Sequence, residues 1–163
     1  MKKIMELLQN MKAKNEKKDN KGFSLVELII VIAIMAILVG IVGTQVIPYI
    51  SKSKVAKDQQ ILNSISTAGV AAYSENGLTG DIEVEVFKDP AYGADTNEGK
   101  VQAAILAASG FNNLTEFQNA LESDGTIENV VFKVTAGSHQ AITTVSYSGT
   151  APKYQIKEVK ATL

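Results

Sequence analysis

Twenty-four consecutive residues, Leu28 to Ser51, carry no charge, and most are Ile, Val, Leu, Ala or Met. As a helix this run rises about 36 Å, enough to cross a hydrocarbon core of about 30 Å. Its many β-branched residues would favour a strand in water. In lipid the backbone must satisfy its own hydrogen bonds, so the run is expected to be a transmembrane helix. Everything else in the chain has to be arranged around it.

The flanks suggest an orientation. Residues 1–22 hold seven lysines against Glu6, Glu16 and Asp19, a net charge of +4, whereas residues 23–163 hold nine lysines against fourteen acids, a net charge of −5. A lysine-rich leader favours a cytoplasmic amino end with the remainder outside. Lys52, Lys54 and Lys57, beyond the run, oppose that bias more weakly. Within the leader, Ile4, Leu7, Leu8 and Met11 have the spacing of a short amphipathic helix on a membrane surface.

Helical periodicity continues past Pro48, with Val55, Ile61, Leu62, Ile65, Ala68, Gly69 and Ala72 as an apolar stripe and Lys54, Lys57, Asp58, Gln59 and Ser66 outside it. One helix over about 24–75 is expected, kinked or loosened at Pro48 and stopped at Asn76 or Gly77. Residues 77–163 read as a small head: a strand in Asp81–Lys88, a loop over Asp89–Gly99, and helices in Glu98–Gly110 and Asn113–Gly125, each closing on glycine. Three β segments follow at 126–135, 140–148 and 153–160. The fold class is therefore α+β, with a long amino-terminal helix, transmembrane then amphipathic, packed on a small antiparallel sheet.

Catalytic inventory is poor. There is no cysteine, which removes disulfides, a thiol nucleophile and Cys-type zinc sites. All 16 basic residues are lysines, which argues against specific nucleic-acid recognition. The single histidine, His139, is expected in a surface turn. Asp89, Asp95, Asn97 and Glu98 offer oxygen ligands but match no calcium loop. Asn113-Leu114-Thr115 is a glycosylation sequon. Tyr49, Tyr73, Tyr92, Tyr147 and Tyr154 read as core, interface or surface residues. No cofactor, metal or enzymatic activity is expected.

Just before the run stand Lys21, Gly22, Phe23, Ser24, Leu25, Val26 and Glu27. Basic leader, Gly-Phe, an acid five residues on and an unbroken apolar helix together resemble the processing site of type IV pilins and pseudopilins. The resemblance covers about residues 1–75. It implies removal of residues 1–22 by a prepilin peptidase that cuts between Gly22 and Phe23 and methylates the new Phe23 amine. A secretory signal is cut after its apolar stretch and lost; here the apolar stretch is kept. The head lacks the cysteine pair of many Gram-negative pilins.

Glu27 has two readings. Ser24-x-x-Glu27 fits a capping box, with Phe23 and Leu28 as a hydrophobic staple and the acid at the positive helix end. Alternatively, a carboxylate in the apolar layer, costing about 2.5–3.5 kcal/mol, seeks a positive partner. A neighbouring helix shifted four residues, about 6 Å, would bring its Phe23 amine there. The resemblance links this acid to assembly. Ala33, Ala36, Gly40 and Gly43 form a small-residue stripe suited to close helix packing, and Gly40, Gly43 and Pro48 mark the weakest part of the span.

The resemblance implies a filament subunit: a leader over 1–22, a helix over 23–76 whose segment 23–50 spans and assembles, and a head over 77–163. The partners implied are further copies of the chain, the peptidase/N-methyltransferase, an assembly platform with its ATPase, and the membrane. The precursor would be single-pass in the cytoplasmic membrane and the mature form extracellular, serving adhesion, motility, aggregation or DNA uptake. A pseudopilin of a secretion or competence system is the near alternative, and a signal-anchored binding module the distant one.

Overall fold

The uncharged run is helical throughout. In a computed structural model, which describes Met5, Glu6 and residues 23–163, helical backbone runs from Leu25 to Glu75. It comprises α1 (Leu25–Ile41), a π-helical turn (Val42–Val46) and α2 (Ile47–Glu75). No residue of α1 is buried. By length and composition this helix can cross a membrane. The leader's expected surface helix lies outside the described residues, apart from Met5 and Glu6.

Irregularity falls where Gly40, Gly43 and Pro48 cluster. Proline has no N–H to give the carbonyl four residues back, and its ring crowds that carbonyl. The wide turn at Val42–Val46 ends two residues before Pro48, and the Thr44 hydroxyl donates back to Gly40 O (2.9 Å). Side-chain bonds of this kind loosen a helix locally.

From Gln45 to Leu163 the chain forms its own core. The stripe on α2 is buried at Leu62, Ile65, Gly69 and Ala72, and Tyr73 is buried beside it. At Gly69 the reason for glycine is close approach: a Cβ there would lie 2.6 Å from the Phe132 ring. Two residues placed outside the stripe are not outside. Asp58 and Ser66 are buried too, so the buried face is wider than apolar spacing indicates. The helix ends on Gly77 (φ 62°), with Gly77 N–H donating to Ser74 O and Leu78 N–H to Tyr73 O. That is the Schellman pattern, which satisfies the last carbonyls and favours glycine in the left-handed position.

Four antiparallel strands, β1 (Ile82–Glu85), β2 (Ile127–Thr135), β3 (Gln140–Tyr147) and β4 (Val159–Thr162), lie side by side in chain order. Alternation sends Ile82, Val84, Val130, Phe132, Val134, Ala141 and Thr143 inward, and the register pairs Val84 with Phe132 and Phe132 with Thr143. Both β3 and β4 contact α2. Between β1 and β2 come α3 (Asn97–Ser109) and α4 (Leu114–Ala120). Phe117 of α4 is buried against Phe87 and Phe111.

Several boundaries differ from the sequence reading. The first strand is Ile82–Glu85, shorter than Asp81–Lys88, and the chain turns after it. The Asp89–Gly99 loop is shorter than expected, because Thr96 caps α3 through Gly99 N–H (3.0 Å) and makes Asn97 and Glu98 helical. The second helix stops at Ala120 rather than Gly125. There the Asp58 carboxylate accepts the N–H groups of Glu122 (3.0 Å) and Ser123 (2.7 Å), and holds that backbone out of the helix. Last, β4 starts at Val159, not Lys153. Gln59 brackets Lys157, donating to its carbonyl (2.9 Å) and accepting its N–H (2.7 Å), while Ile156 N–H donates to the Tyr147 hydroxyl (2.9 Å). Side chains thus take the groups that strand pairing would have used.

Candidate functional site: the opening of the apolar helix

Ser24 precedes α1 in extended conformation, and its Oγ accepts the Val26 N–H (3.3 Å). Glu27 Oε2 reaches back to accept the Ser24 N–H (2.8 Å), completing the capping box. Two of the four donors left open at a helix start are thereby satisfied. The carboxylate also sits at the positive end of the helix dipole. Phe23 and Leu28, the expected staple pair, are both exposed.

The cap uses only one oxygen of Glu27. Among the described residues, Oε1 has no hydrogen-bond partner, and Glu27 is exposed. The geometry therefore leaves half of the carboxylate free for a group from elsewhere. Gly22, on the other side of the expected cut, lies outside the described residues.

Ala33, Ala36, Gly40 and Gly43 are exposed, and a methyl built on Gly40 or Gly43 would meet nothing within 4 Å. Pro48 is half-buried. Apolar Val31, Ile34, Leu38 and Ile41 are exposed as well, so α1 presents an apolar surface that is uncovered among the described residues.

The other candidates have structural roles. His139 is exposed in a left-handed turn (φ 51°) after the 3-10 turn Ala136–Ser138. Asn113 caps α4 through Glu116 N–H (2.9 Å). No group of three metal-ligating side chains converges among the described residues. Tyr73 is buried and donates to Gly80 O (2.8 Å), whereas Tyr92 accepts the Glu85 N–H (3.2 Å). Lys57 is held above its ordinary pKa by a hydrogen bond to Glu122 and that residue's charge, and Lys133 likewise by Glu83. Sequence reasoning missed the Asp58 and Gln59 contacts; polar residues on the edge of an apolar stripe were their only signal.

A long apolar helix with an acid-bearing cap, leading to an α+β body with a four-stranded antiparallel sheet, is a pilin-like architecture. Residues 17–43 match the family model described as the prokaryotic N-terminal methylation motif, which is the class III signal peptide motif of type IV pilins. No curated protein and no solved structure matches the chain. The motif supports a type IV pilin-like protein or a pseudopilin, implies processing by a prepilin peptidase, and fits membrane anchoring through the apolar helix.

Proposed function

We propose that this chain is a structural subunit of a type IV pilus, made as a prepilin. A peptidase removes residues 1–22 between Gly22 and Phe23, and the Phe23 amine is methylated. The helix over 23–76 anchors the precursor in the cytoplasmic membrane through 23–50, while the head over 77–163 lies outside. An assembly platform and its ATPase then draw subunits into an extracellular filament. What carries this reading is the match over residues 17–43, which spans both the proposed cut and the start of the apolar helix.

The chemistry supports it. Cleavage removes seven lysines that oppose withdrawal of the helix from the bilayer, and it creates one amine. In the filament the amine of one subunit's Phe23 meets the free oxygen of its neighbour's Glu27, which neutralises both charges and sets the stagger. Ala33, Ala36, Gly40 and Gly43 let the helices approach, and the wide turn before Pro48 lets each helix adapt to the bundle. Cap and pair are compatible because each uses a different oxygen.

Glu27→Gln separates them. Glutamine keeps the acceptor for Ser24 N–H but removes the charge. The expected outcome is a variant processed at Gly22 yet absent from sheared filaments. Filaments in wild-type amount would reduce Glu27 to a cap and overturn the pairing. A wild-type chain that is processed but stays in the membrane fraction would favour the pseudopilin.

A further inference from the structure

Lys52 is the first charge after the apolar run, two residues beyond the half-exposed Ile50. On α2 that is about 3 Å along the axis. If the run crosses a bilayer, the Lys52 ammonium is at headgroup depth. The fold brings other residues to it. The Tyr154 ring lies under Lys52 Nζ (5.6 Å to the ring centre) and Lys153 Nζ (5.4 Å). With Val55, Gln155 and Lys157 they line a groove of about 330 Å³ that has no acid in its wall. The groove is held in shape: Gln59 of α2 makes two hydrogen bonds to the Lys157 backbone, and Tyr147 anchors Ile156.

The lysines are also uncommitted. Lys57, Lys133 and Lys160 form ion pairs; among the described residues, Lys52, Lys153 and Lys157 form none. An adjoining groove shares Lys153 and Lys157, and its one acid, Glu158, is paired with Lys160. Three free ammonium groups around a tyrosine at the end of a span have the composition of an interfacial anion site.

We propose that this groove binds the phosphate of an anionic phospholipid headgroup in the leaflet where the helix emerges. The inference rests on reading Leu28–Ser51 as a membrane span. It gives a use to Lys52, which otherwise only opposes the topology. It also predicts that the head is docked on anionic lipid before assembly and must release it on leaving the bilayer.

The test places the full chain in nanodiscs of phosphatidylcholine alone, or of equal parts phosphatidylcholine and phosphatidylglycerol. Lysine acylation is then read site by site by mass spectrometry. In anionic discs labelling of Lys52, Lys153 and Lys157 should fall about fivefold each, the Boltzmann factor of one lysine's attraction to an anionic surface. Lys100 and Lys133 should change little. Replacing Lys153 and Lys157 together by glutamine, both exposed and so neutral for folding, should restore labelling at Lys52. Equal labelling in both discs overturns the proposal. So does equal protection from inorganic phosphate in neutral discs, which would mean a free-anion site. Protection that rises with protein concentration in neutral discs would assign the groove to an acidic neighbour instead. A chain that fails to enter either disc overturns the membrane reading itself.

Discussion

Asp58 lies on the buried face of α2 with both carboxylate oxygens turned to the backbone of Glu122 and Ser123. A buried carboxylate is tolerated only when hydrogen-bonded, and two backbone donors supply that here. In Asp58→Ala both N–H groups lose their acceptor. Hydrogen bonds to a charged group contribute about 1.5–3 kcal/mol, so a loss of about 3 kcal/mol or more is expected in urea unfolding of the full chain in detergent. Asp58→Asn, which keeps one acceptor oxygen, should recover part of it. A loss below about 1 kcal/mol for alanine would show that water replaces the carboxylate. At this scale the sequence was legible for Ser24 and Glu27, because their partners are within three residues. It was not legible for Asp58 or Gln59, whose partners are 64 and 98 residues away. Local spacing carries no information about such contacts.

Among the elements, the join between α1 and α2 is where composition and conformation agree most closely. Pro48 removes the donor that would bond Thr44 O, and two glycines and a threonine precede it. Pro48→Ala restores the donor. The expected result is an α-helical ladder through residues 42–46 and slower amide hydrogen exchange over residues 43–51, measured in detergent by mass spectrometry. Unchanged exchange would assign the wide turn to the glycines and Thr44. The same logic explains which ends were legible. Gly77 and Gly110 stop their helices because a left-handed glycine cap is written locally. Gly125, also left-handed, stops nothing, since Asp58 ends α4 five residues earlier. The shift of β4 has the same origin in Gln59.

The whole molecule divides its apolar surface in two. The head buries its own, with Phe117, Phe132, Leu62 and Ile65 fully enclosed. The helix over 25–50 buries almost none, and its residues are apolar on every side. A helix of that kind calls for burial, in lipid or against other protein. A pilin-type life would supply both in turn, and the proposed processing between Gly22 and Phe23 is the step that would separate them. The α+β class, the long helix and the motif were readable because they rest on periodicity and on a contiguous segment. The measurement that bears most directly on this account is the amino terminus of the chain in filaments sheared from cells, determined by mass spectrometry. The account predicts a chain beginning at N-methylated Phe23. A chain beginning at Met1, or cut beyond the apolar run, would contradict it.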